Sequence, residues 1–218
     1  MRRRDLLTSL NGDAGHGFAL LGILALLWAL AAGGPAWTQA LCYQREAIGQ
    51  GQIWRLVSAH WVHLGVRHLL LDSAGLALLW ALYARELRPA AWLAVLLAAT
   101  AAIDAGLWWG EPQLQWYVGI SGLLHAVWAA GAAAMAFGHT SAPGHTPAPG
   151  RAPQGGRLHG ALMLALLAGK LLVERRAAVS LFDSGLPVVT AAHLYGALAG
   201  LAGGAVAARA LAPSGKPL

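Results

Sequence analysis

Gly119-Ile120-Ser121-Gly122 opens one strongly apolar stretch of the chain, and Ala192-His193-Leu194-Tyr195-Gly196 lies near the start of another. A serine hydroxyl is a weak nucleophile until a base accepts its proton, so a lone Ser and a lone His in hydrocarbon point to an activated nucleophile. Other polar residues share this setting: His68 and Asp72, four apart on one helix face, begin a third apolar stretch, and His125 follows Ser121 by one helical turn. Acyl transfer needs such a set, with a nucleophile, an imidazole base and groups beside them for the charge that develops on a carbonyl oxygen.

The elements that position these residues are membrane helices. Of 218 residues, 57% are hydrophobic and 11% charged, with mean hydropathy +0.55, against the roughly 25% charge of soluble domains. The chain is therefore expected to be an all-α polytopic membrane protein. About 20 apolar residues cross a hydrocarbon core roughly 30 Å thick. Six candidate spans result: Phe18 to Gly34, Leu64 to Tyr83, Pro89 to Trp109, Tyr117 to Phe137, Leu158 to Val173 and Val188 to Ala210. Gly110-Glu111-Pro112 separates spans three and four, and the Pro/Gly-rich linker Ser141 to Gly156 cannot be helical throughout. This divides the chain into a cytoplasmic segment at 1–17, a six-helix membrane domain at 18–210 and a cytoplasmic tail at 211–218. The Arg run before span one has the look of a signal peptide, but no small-residue cleavage pattern follows before Pro35, so the span is read as retained.

Short cytoplasmic loops retain Lys and Arg, and Arg2, Arg3, Arg4, Arg85, Arg88, Arg151, Arg157, Arg209 and Lys216 all fall on one side of this arrangement. Both termini are then cytoplasmic, although Arg45, Arg55, Arg67, Arg175 and Arg176 on the other side dilute the bias. The pI near 10.2 follows from this topology. Anionic lipid headgroups are the expected partners, whereas the scattered basic residues do not suit nucleic acid. Cys42 is the single cysteine, so no intrachain disulfide forms.

Spans two, four and six enter from the external side, and His68, Asp72, Ser121 and His193 all lie in their first turns. At 1.5 Å per residue they share a depth of roughly 5 to 12 Å, within reach of a water-filled cavity open to that side. Small residues recur every four positions at Ala192, Gly196, Gly200 and Gly204, and again at Gly122, Ala126, Ala130 and Ala134. Two such faces allow close helix approach, which would bring His193 and Ser121 into hydrogen-bond reach.

The Gly-x-Ser-Gly motif at Gly119 to Gly122 and the Ala-His-x-x-Gly-x-x-x-Gly motif at Ala192 to Gly200 resemble those of the rhomboid family of intramembrane serine proteases. Trp54-Arg55 resembles the family's first-loop Trp-Arg pair, and His63 and His68 resemble the histidines leading into its second span. The resemblance covers about Trp54 to Gly204. It implies that Ser121 is the nucleophile and His193 the base of a dyad that needs no third acidic residue, with His125 packing on the base where many members carry Tyr. His125 is also a rival base. The family's oxyanion site combines the Ser backbone N–H with His and Asn side chains from span two. His68 matches the His, but Asp72 stands where Asn is expected, and an ionised carboxylate donates no hydrogen bond. Asp72 is then either protonated or, the reading we favour, an orienting acceptor for His68. Within the family, the short build and the Gly-Ile-Ser-Gly-Leu-Leu-His run look most like the bacterial rhombosortase branch. That implies an enzyme of the bacterial inner membrane, with its site open to the periplasmic side. Its substrates would be transmembrane proteins with a C-terminal anchor, secreted proteins carrying a Gly-Gly-containing signal, and no cofactor or metal is implied.

Other readings are weaker. His60, His63, His68 and Asp72 could bind a metal or haem, but no HExxH sequence occurs and Ser121 is left unexplained. A non-catalytic rhomboid relative that binds client segments would have little reason to retain both Ser121 and His193. Asp104 and Lys170 are read as interfacial groups, and Trp108, Trp109, Trp116 and Tyr117 as an aromatic belt. His139, His145 and His159 are read as solvated residues on or beside the linker.

Overall fold

The computed structural model describes residues 14–138, 153–177 and 188–210. Nine α-helices are described: α1 Ala14–Ala32, α2 Gly34–Leu41, α3 Arg45–Gly49, α4 Arg55–Ser58, α5 Val66–Tyr83, α6 Pro89–Ala105, α7 Ser121–Phe137, α8 Pro153–Ala177 and α9 Thr190–Ala210. Two short strands, β1 Tyr43–Gln44 and β2 Trp116–Tyr117, pair antiparallel with Tyr43 opposite Tyr117 and Gln44 opposite Trp116. The chain is an all-α polytopic membrane bundle. Gly15–Ala32, Val66–Tyr83, Pro89–Gly110, Gly156–Arg176 and Thr190–Arg209 are long and apolar enough to cross a bilayer, and Ser121–Phe137 is a shorter apolar helix.

The short helix is the hub. α7 packs against α9, α8, α5 and α6, and its residues from Gly122 to Ala126 and from Ala129 to Ala136 are buried. Its Ala and Gly side chains leave room for neighbours on every side, so backbone approach replaces large interlocking side chains. On α9, a Cβ at Gly196, Gly200 or Gly204 would collide with the carbonyl oxygen of Gly122, Ala126 or Ala130 respectively. One stripe thus lies along the other over three turns. On α8, a Cβ at Gly160 would come within 2.6 Å of Ala132 O and Ala136 N. The outward faces carry exposed Leu78, Leu93, Leu97, Leu158, Leu166 and Val206. An apolar exterior of this kind suits acyl chains, while helical backbones satisfy their own polar groups.

The structure redraws several expected boundaries. The apolar run expected to start a helix at Tyr117 becomes a strand and a turn, and the helix starts at Ser121. The shared depth expected for the site is altered accordingly, since Ser121 heads its helix. Two physical constraints set that start. Trp116 and Tyr117 are held by β1, and Gly119 adopts φ +112 with its N–H donating to Ala59 O at 3.0 Å; a side chain at such φ is strained. Span three ends in a π-helical turn, Gly106–Gly110. Span five is longer than expected at both ends, running from Pro153 through Glu174, Arg175 and Arg176. Proline suits a first helical position because its missing N–H has no intrahelical partner there. The expected terminal segments and the rest of the linker, including His139 and His145, fall largely or wholly outside the described residues, whereas His159 belongs to α8.

Candidate active site

Ser121 is the first residue of α7, and His193 lies in the first turn of α9. The glycine contact between Gly196 and Gly122 brings these two turns together, with Ile103 of α6 against both glycines. Ser121 Oγ lies 3.0 Å from His193 Nε2. His193 is 2% exposed, so water does not compete freely for its ring.

The His125 ring stacks on that of His193, with centroids 4.0 Å apart and planes inclined by 11°. His125 Nδ1 donates to the Ser121 carbonyl oxygen at 2.7 Å, because a carbonyl only accepts. Its Nε2 must then accept, and it lies 2.9 Å from the Lys170 ammonium. Both ring nitrogens of His125 are thus occupied by groups other than Ser121 Oγ, which weakens it as a rival base.

Glu174, which sequence reasoning does not single out, is 1% exposed. Its Oε2 lies 3.0 Å from His193 Nδ1, and its Oε1 accepts from Lys170 Nζ at 2.5 Å. Lys170 is therefore no snorkelling interfacial residue: its side chain is 9% exposed and turned inward. In sequence Glu174 sits beside Arg175 and Arg176, so the three together read as the end of an apolar span. The signal was the four-residue spacing of Lys170 and Glu174, which places a compensated charge pair on one helix face.

On the other side of Ser121, Asp72 Oδ2 accepts from His63 Nε2 at 3.1 Å and lies 3.3 Å from His68 Nε2. A Cβ on Gly119 would meet His68 Nε2 at 2.9 Å and Asp72 Oδ2 at 3.5 Å, so the α5 pair borders the Gly119 turn. Behind them, the Tyr117 hydroxyl donates to Gly119 O at 2.8 Å and faces His60 Nδ1 at 3.3 Å, while His60 Nε2 faces Asp104 Oδ1 at 3.4 Å. Asp104, expected at an interface, is buried at 8% exposure because His60 partners it. Arg55 is also buried, with Nη1 donating to Gln39 O and Cys42 O, and Trp54 beside it is exposed.

Possible ligand atoms lying within 4.8 Å of one another occur in His125, Glu174 and His193, a different set from the His60, His63, His68 and Asp72 group considered from sequence. The Lys170 ammonium already contacts His125 and Glu174, which disfavours a second cation there.

The model of the Rhomboid domain family matches residues 50–210. The chain belongs to the rhomboid family. Rhomboid proteins are generally intramembrane serine proteases that act on membrane-protein substrates. The match runs from the first loop to the end of α9 and so includes every contact described around Ser121. No curated protein and no solved structure matches the chain significantly.

Proposed function

We propose that this rhomboid protein is an intramembrane serine endopeptidase in which Ser121 is the nucleophile and His193 the general base. The observation that carries the reading is the 3.0 Å contact between Ser121 Oγ and His193 Nε2, made between two helix starts that close glycine packing holds together. As the Oγ attacks the scissile carbonyl, its proton passes to His193 Nε2 and an O–C bond forms. The resulting oxyanion is stabilised by the Ser121 N–H, which has no intrahelical partner at the head of α7, and by the Nε2–H of His68 beside the Gly119 turn, which exchanges Asp72 Oδ2 for the oxyanion. His193 then protonates the leaving amine as the C–N bond breaks, and the acyl-enzyme is resolved by water.

The substrates in this reading are membrane-anchored proteins, with a scissile segment that unwinds readily. Glycine in a helix is about 1 kcal/mol poorer than alanine, so a Gly-Gly signal ahead of a C-terminal apolar anchor fits that demand. This is the substrate class implied by the likeness to rhombosortases. A lipid amine in place of water would yield a lipid-linked product by the same first half-reaction. The enzyme would sit in the bacterial inner membrane with both termini cytoplasmic and its site open to the periplasm.

A fluorophosphonate probe tests the central assignment. Parent protein in detergent should label on Ser121, and Ser121→Ala and His193→Ala should each abolish labelling; labelling that survives in Ser121→Ala would sink the reading. Mass spectrometry of a processed substrate then separates hydrolysis, which leaves a free C-terminal carboxylate, from transfer, which adds an amine.

A further inference from the structure

We infer that Glu174 and Lys170 complete the catalytic unit as positioning residues, Glu174 by setting which nitrogen of His193 carries its proton and Lys170 by setting how Glu174 is presented. The inference rests on Ser121 and His193 being nucleophile and base as proposed above. It goes beyond a Ser–His dyad, because it gives a residue of a third helix control over the base.

A neutral imidazole has one N–H, and His193 acts as a base only when Nε2 is the bare nitrogen. Glu174 makes that choice. Its carboxylate only accepts, so Oε2 at 3.0 Å from Nδ1 places the ring proton on Nδ1 and leaves the Nε2 lone pair facing Ser121 Oγ. A carboxylate at 1% exposure needs a compensating charge, and Lys170 supplies one at Oε1. The same ammonium also donates to His125 Nε2, whose Nδ1–H returns to the carbonyl oxygen of Ser121. The contacts therefore form a closed circuit that starts at Ser121 Oγ, passes through His193, Glu174, Lys170 and His125, and ends at Ser121 O. When Ser121 attacks, the transferred proton remains on His193, and the adjacent carboxylate stabilises the imidazolium until the leaving amine takes that proton.

Lys170 makes the test specific. In Glu174→Gln the ammonium requires the amide oxygen, which turns the amide NH2 toward His193 Nδ1 and forces the ring proton onto Nε2, the tautomer that cannot accept from Ser121. Fluorophosphonate labelling of the full chain in detergent should then slow by about 10³-fold or more at saturating probe, with the half-saturating concentration little changed; the equivalent Asp-to-Asn change in a Ser-His-Asp triad lowers turnover about 10⁴-fold. Nitrogen-15 spectra of the His193 ring should show the proton moved from Nδ1 to Nε2. Glu174→Gln combined with Lys170→Met removes the ammonium's hold on the amide oxygen, which can then turn to His193, so labelling should recover at least about tenfold over Glu174→Gln alone. Should Glu174→Gln fail to fold, two uncharged double variants replace it. Glu174→Gln with Lys170→Met should label at least about tenfold faster than Glu174→Leu with Lys170→Met, and equal rates overturn the inference. Labelling of Glu174→Gln at the parental rate, with Ser121→Ala and His193→Ala silent, overturns the inference and leaves the Ser–His assignment standing. Labelling of Ser121→Ala removes the assignment itself.

Discussion

Asp72 is where this chain departs most clearly from the family pattern, and its contacts suggest why a carboxylate serves there. One oxygen, Oδ2, faces the Nε2 atoms of both His63 and His68, and a carboxylate oxygen has lone pairs enough for two donors. An Asn in the same place also offers one oxygen with two lone pairs, but an uncharged one, and hydrogen bonds to it are about half as strong as those to a carboxylate, so Asp72→Asn holds both histidines less firmly. We expect Asp72→Asn to lower fluorophosphonate labelling roughly tenfold or more through loss of His68 alignment, in line with the hundredfold scale of a whole oxyanion donor. A variant faster than the parent would refute the orienting role. From sequence, Asp72 could be seen as an anomaly but its partners could not, since His63 reaches it from the segment preceding α5. Glu174 was hidden for a related reason. A hydropathy reading treats Glu-Arg-Arg as the end of a span, whereas the fold turns the Glu inward and leaves both Arg residues exposed.

The helix start at Ser121 and the glycine stripes set the geometry at the level of elements. A methyl group at Gly196 would strike Gly122 O, immediately beside the reacting pair. Gly196→Ala should therefore push α9 from α7 and cut labelling on the order of a hundredfold, the cost of about 1 Å of misplacement at a reacting centre. Gly169 on α8 is the control, because a Cβ there meets nothing within 4 Å. Gly169→Ala should keep the parental labelling rate and raise the midpoint of thermal unfolding slightly, since alanine is the better helix former. If both variants behave alike, helix approach does not control the site. The stripes were legible because spacing alone reveals a small-residue face. The β1–β2 pairing and the turn at Gly119 were not, since two-residue strands within an apolar run have no period to read.

For the whole molecule, composition made the membrane class legible, because so low a charge content leaves little choice of solvent. Orientation rests on the Lys and Arg bias, and it can be measured. In a Cys42→Ser background, Ile53→Cys at an exposed position should react with a membrane-impermeant maleimide added from the periplasmic side of intact cells. Arg88→Cys, also at an exposed position, should react only after the membrane is opened. The reverse pattern would place the candidate site on the cytoplasmic face and overturn the proposed topology. The glycine contacts carry one more consequence at this scale. Gly196, Gly200 and Gly204 mesh with Gly122, Ala126 and Ala130 at a repeat of four residues, so α9 cannot glide along α7 by a fraction of a turn without driving a carbonyl into its neighbour. The next register in which the faces mesh is displaced by about 6 Å along the axis. The Ser121–His193 separation is therefore tied to the register of two helix faces: the same glycines that let α9 approach α7 also hold it lengthwise, and the distance between nucleophile and base is set along the helix axis as well as across it.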